Sequence, residues 1–174
     1  MSVATTPAAH HTLSVLVENK SGVLARVVNL FSRRGYNIFS LAVAPTYDDR
    51  FSRITVVVDV DSAPLEQITK QLDKLINVVS ITELPPSASL ERELLVATVK
   101  LDAAADRATI VAAIAAAGGQ VLAETATRLT TSLEAAPPTV DAFEDQLATF
   151  GITDLTRTGR VALRQLDGAS VATA

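Results

Sequence analysis

The chain contains no cysteine, and that absence excludes disulfides, thiolate metal sites and a cysteine nucleophile. Histidine is almost missing too. His10 and His11 are adjacent near the start, and no other histidine exists for acid–base chemistry. Aromatic residues make up 4% of the chain, so its cores must be built from Val, Leu, Ile and Ala. There is no basic excess. The formal charge is −4, which argues against a nucleic-acid footprint. No apolar run approaches the roughly 20 residues of a membrane span. The start, "MSVATTPAAHHT", lacks the pattern of a signal peptide. A cytoplasmic protein is the expectation.

What is present is hydrophobic patterning. At 48% hydrophobic and 20% charged residues, the 174-residue chain suits one ordinary domain or two small ones. Residues 1–11 read as a disordered tail in which neither histidine has a scaffold. "TLSVLVE" alternates, with Leu13, Val15 and Val17 on one face. Ser21 is placed to cap a helix whose apolar positions are Leu24, Val27, Val28 and Phe31, and Gly35 ends it. "NIFSLAVAP" and "SRITVVVDV" read as strands around the polar turn "TYDDRF". "DSAPLEQITKQLDKLIN" reads as a helix that starts at Ser62 and Pro64 and buries Leu65, Ile68, Leu72, Leu75 and Ile76. "VVSITEL" is a fourth strand. The order β-α-β-β-α-β is the ferredoxin-like split arrangement.

"PPSAS" then interrupts the chain. The rhythm restarts with the strand "ERELLVATVKL", the helix "DRATIVAAIAAAGG", the strands "QVLAETAT" and "RLTTSLEA", and the helix "PPTVDAFEDQLATFG". "ITDLTRTGRVALRQL" closes as extended chain with a break at Gly159. The expected class is therefore α+β, two βαββαβ domains with antiparallel sheets. The boundaries read 12–84, a linker at 85–90, a second domain at 91–167 and a tail at 168–174.

Catalytic constellations are lacking: no G-x-S-x-G, no phosphate-binding loop and no dinucleotide fingerprint occur. Asp48-Asp49 and Asp59/Asp61 read as turn residues. "RTGRVALR" suits a strand with solvated charges and equally a docking surface for an acidic patch. RRM domains share the βαββαβ order, but an RNA reader needs stacking aromatics and a basic sheet, which these strands lack.

The stretch Asn19-Lys20-Ser21-Gly22 remains. It leads into a helix N-terminus, where backbone N–H groups lack internal partners and favour a small carboxylate. Gly22 removes a side chain from that approach, and Asn19 offers a donor and an acceptor. The same residues also suit a plain helix start with a serine cap.

"SVLVENKSGVLARVVNLFSRRGYNIFSLAVAPT", followed by "SRITVVV" and "ERELLVATVK", resembles the small regulatory subunit of acetohydroxyacid (acetolactate) synthase. The motif N-x-S-G-x-L followed by F-S-R-R-G-Y-N-I carries the resemblance, which is close over Leu13 to Lys100 and looser beyond. It implies that the first domain is an ACT domain, a regulatory βαββαβ module that pairs side by side as a homodimer. It implies an effector, a branched-chain amino acid such as valine, bound between two such domains. The matching stretches are Asn19, Ser21, Gly22, Val23 and Leu24 on one side and Asn37 and Ile38, from the paired domain, on the other. It also implies no catalysis by this chain, which has no cofactor of its own. The partner would be a separate catalytic large subunit carrying thiamine diphosphate, Mg²⁺ and FAD. The competing class is an independent ACT-type sensor of another enzyme or of transcription.

Overall fold

A computed structural model describes residues 10–59, 63–101 and 104–166. The expected tail before His10, the one after Leu166 and the helix start at Ser62 lie outside the described residues. The chain divides into two compact units: the residues up to Leu90 together with those from Gly159 onward, and Glu91–Thr158.

The first unit runs β1 (His10–Glu18), α1 (Val23–Arg33), β2 (Asn37–Pro45), β3 (Phe51–Asp59), α2 (Ala63–Leu72) and β4 (Val78–Leu84). Its antiparallel sheet has the order β2-β3-β1-β4. Alternation fixes the register. Leu13 pairs with Val56 and Val15 with Ile54, so the buried side chains of both strands share one face. The helices cover that face with Val23, Val27, Phe31, Leu65, Ile68 and Leu72. Removing a ring as buried as that of Phe31 would cost about 3–5 kcal/mol.

Three expectations are corrected here. His10 and His11 are the first residues of β1, not of a loose tail; the His10 ring lies tilted against Phe39 and His11 pairs with Glu83. The buried stripe of α1 is Val23–Val27–Phe31, at i, i+4 and i+8, which leaves Leu24 37% exposed and Val28 half-buried. The second helix ends at Leu72 rather than Asn77. The amides of Lys74 and Leu75 bond three residues back, to Gln71 and Leu72, which tightens the last turn and leaves Ile76 89% exposed.

The second unit contains most of β5 (Ser89–Lys100), then α3 (Ala104–Ala116), β6 (Gln120–Glu124), β7 (Arg128–Ala135), α4 (Pro137–Ala148) and β8 (Ile152–Arg157). Its strands follow the order β6-β7-β5-β8, the same permutation as the first sheet. Leu95 pairs with Leu133 and Val99 with Leu129. Ile110, Ile114, Val140, Phe143 and Leu147 complete the core from the helices. Arg157 is not a solvated strand charge. It meets Glu93, Asp141 and Glu144, of which Glu93 is 4% exposed. Burial alone would make the guanidinium easier to deprotonate. The hydrogen bonds to Glu93 and Asp141 outweigh that, and the net shift is upward.

The segment expected as a linker is a single 3₁₀ turn, Pro86–Ala88, and β5 starts directly behind it at Ser89. The close of the chain breaks at Gly159, and the short strand β9 (Val161–Arg164) belongs to the first unit. Gly159 lies against the Leu41 carbonyl, where an added Cβ would stand 2.2 Å from the oxygen. The Arg160 amide donates to Ser40 Oγ at 2.7 Å, and the Gln165 amide to the Ala88 carbonyl at 2.9 Å.

Candidate functional site

The loop Asn19–Gly22 joins the end of β1 to the start of α1. Gly22, not Ser21, is the N-cap, at φ 82°, and no side chain caps the helix. A left-handed cap favours glycine, and Ser21 stays exposed with its hydroxyl unused in the cap. Space beside Gly22 is open; a Cβ built there meets nothing within 4 Å. The Val23 amide bonds to the Lys20 carbonyl at 3.3 Å and the Arg26 amide to that of Gly22 at 3.1 Å. Between them, the amides of Leu24 and Ala25 have no acceptor among the described residues. Uncapped amides at the positive end of a helix dipole suit a carboxylate.

Asn19 is held rather than loose. Its amide donates to the Arg50 carbonyl at 2.7 Å and its Nδ2 to the Asp49 carbonyl at 2.9 Å. Those acceptors lie on the β2–β3 turn. That turn is itself fixed by Asp48, which receives the Arg50 guanidinium at 2.6–3.1 Å and the Arg50 amide at 3.1 Å. The Arg50 side-chain bonds hold the Asp48 carboxyl below the usual carboxylate range. The opposite wall is braced by Glu18, whose pKa is lowered by the Asn77 side chain and then by Lys20. Sequence reasoning took Asp48 and Asp49 as plain turn residues and missed this brace. The Asp48-x-Arg50 spacing is the signal that would have found it.

The remaining predicted residues divide between two places. The Val23 side chain is buried in the core, and Leu24 lies on the exposed side of the same helix start. Asn37 is exposed at the first position of β2 and pairs in register with Asp59; Ile38 is half-buried against the core. One chain does not bring Asn19 and Gly22 together with Asn37 and Ile38. The 11 residues of α1 stand between them, about 16 Å of helix. Phe39 and Val43 are exposed apolar residues on the same edge strand as Asn37.

Among the described residues no group of three or more His, Asp or Glu side chains is placed to hold a metal, and no helix is long and apolar enough to cross a membrane. Residues 13–80 match the acetohydroxyacid synthase (AHAS) small subunit-like ACT domain, and residues 92–165 match the small subunit of acetolactate synthase. The acetolactate synthase small subunit of Mycolicibacterium smegmatis is 46% identical over 153 residues, covering 88% of this chain and 89% of the relative. The chain belongs to the acetolactate synthase small-subunit family. A probable small subunit from Methanothermobacter thermautotrophicus is 38% identical over 88% of this chain and 91% of its own. The crystal structure of the small subunit from Thermotoga maritima superposes with a TM-score of 0.84 at 32% identity, covering 91% of this chain and 99% of that one. The small-subunit ACT segment contains every residue of the candidate site, from Asn19 to Ile38. The C-terminal family segment runs to residue 165 and so includes β9, which lies beyond the break at Gly159.

Proposed function

We propose that this chain is the regulatory subunit of an acetolactate synthase, binding a branched-chain amino acid, valine first, and passing its occupancy to a separate catalytic subunit. The observation that carries the reading is the open, uncapped helix start at Gly22, with Asn37 fixed at the far end of the same helix. An amino acid needs a carboxylate site, polar partners for its ammonium and an apolar wall. Gly22 with the Leu24 and Ala25 amides supplies the first. Asn19 and Asn37 supply polar groups, and Leu24 and Ile38 supply apolar surface.

Because one chain separates these groups, the site is completed by a second copy. The edge strand β2 offers the joint. It is unpaired on one side within the described residues and exposes Phe39 and Val43 beside Asn37. The effector then lies between two chains, and its binding is linked to how they sit. Coupling of about 1–3 kcal/mol changes the response of the partner about 5–150-fold. Catalysis, with its thiamine diphosphate, Mg²⁺ and FAD, belongs to the large subunit in this reading, and the second unit is assigned to docking on and activating it.

The test is reconstitution. The purified chain is mixed with a catalytic subunit, and acetolactate formation is assayed with and without each branched-chain amino acid. Stimulation without effector and inhibition by valine are expected. Valine binding with no change in acetolactate formation would assign the chain to an independent sensor instead.

A further inference from the structure

The face of the first sheet turned away from its helices is unusually polar. Thr12, Ser14 and Thr55 are buried on it, next to Val57 and Leu84. Strand β9 packs over β1 and β4 on this side. It leaves a half-open pocket of about 280 Å³ lined by Ser14, Arg53, Thr82, Leu84, Leu163 and Arg164, all within the first unit, with Arg53, Leu163 and Arg164 exposed at its mouth. That volume lies just below the range of small-molecule sites, which fits a ligand of few heavy atoms.

The lining has a definite chemistry. Ser14 and Thr82 are direct cross-strand partners and present two hydroxyls. Arg53 donates one hydrogen bond, from Nη1 to Ser14 Oγ at 2.8 Å, so most of its donors are left for a ligand. Neither Arg53 nor Arg164 has a carboxylate within ion-pair distance among the described residues. Two exposed guanidiniums lining one pocket with no counter-charge among the described residues repel each other, and an anion between them reverses that sign. Two cationic forks and two hydroxyls fit a doubly charged tetrahedral oxyanion better than a single carboxylate.

We propose that this cavity binds a small phosphate-type anion, free or esterified, between Arg53 of the sheet and Arg164 of the returning strand. The bound anion ties β9 to the sheet, so occupancy tightens the closing segment of the chain. This site is separate from the Gly22 loop and does not depend on the effector reading.

Calorimetry on the full chain at fixed ionic strength tests it, with inorganic phosphate in one arm and glycerol 3-phosphate in the other. Saturable binding is expected in at least one arm, and the stronger arm tells whether the free or the esterified anion is preferred. Binding should weaken at least about tenfold in Arg53→Gln and in Arg164→Gln. Leu163→Trp fills the cavity without changing its charge and should abolish binding while circular dichroism stays native. No saturable binding of either probe to the wild-type chain would overturn the proposal, as would wild-type affinity in Leu163→Trp or in both glutamine variants.

Discussion

Asn19 and Asn37 sit at opposite ends of the same strand, β3. Asn19 is bonded to the carbonyls of Asp49 and Arg50 just before it begins, and Asn37 pairs with Asp59 where it ends. Nine extended residues, about 26 Å, separate the two. Any ligand that touches both asparagines must therefore touch two chains.

Gly22 should be the most sensitive single position for effector binding. Gly22→Asp places a carboxylate where the effector's own would sit, and also forces a side chain into a left-handed cap. Gly22→Ala adds the strain alone, about 1–2 kcal/mol. Calorimetry with valine should show binding lost in the aspartate variant and retained, though weakened, in the alanine variant. Equal losses in both would assign the effect to the backbone rather than to charge.

Arg157 should anchor the second unit. It serves three carboxylates at once, and its loss takes the guanidinium away from the buried Glu93. Because Arg157 itself is partly exposed, Arg157→Leu should cost about 2–4 kcal/mol, somewhat less than a fully buried pair. Urea unfolding reads this directly. Adding Glu93→Leu should recover part of the loss, because it removes the buried carboxylate that Arg157 serves.

Gly159 should tolerate no side chain. A methyl there would overlap the Leu41 carbonyl, and backbone on both sides has little room to give. Gly159→Ala should destabilise the packing of the closing segment by about 1–3 kcal/mol. Faster hydrogen exchange of the Arg160 and Gln165 amides would locate the effect.

The loop brace should weaken in acid. The Asp48 and Glu18 carboxyls are both held below their ordinary values of 3.8 and 4.5, by hydrogen bonds from Arg50 and Asn77 respectively. A depressed carboxyl contributes stability that is fully present above its unfolded pKa and is lost as pH falls through the lower, folded pKa. Exchange protection of the Asn19 and Arg50 amides should hold at neutral pH and fall below about pH 4. Asp48→Asn should remove the Asp48 part of that acid step and lower the Arg50 amide protection at neutral pH.

Much of this was legible in the residues, because alternation and helical spacing are strong in both halves. The alternation of Leu13-Val15-Val17 and of Ile54-Val56-Val58 marks the buried sheet face in the residues themselves. The errors came where long-range contacts decide. Val23 rather than Leu24 faces the core because the helix starts one residue after a glycine cap, and a serine before that glycine pointed to the wrong cap. Ile76 looked buried because its spacing continues the helix, yet the last turn tightens and turns it outward. The return of β9 to the first unit has no local signal beyond Gly159, since Arg160 just before it bonds to Ser40, 120 residues earlier in the chain. In the candidate site, Gly22 and Asn37 stood out, whereas the Asp48–Arg50 brace did not, because its target is a backbone carbonyl contact with Asn19.

The central claim is a site shared by two chains, and complementation measures it. Asn19→Ala and Asn37→Ala should each abolish valine binding alone. If the two variants are mixed and allowed to exchange subunits, each mixed dimer carries one doubly altered site and one intact site, so valine binding should return. If the mixture binds no better than either variant alone, both asparagines serve the same site from one chain, or neither contacts the effector, and the account fails.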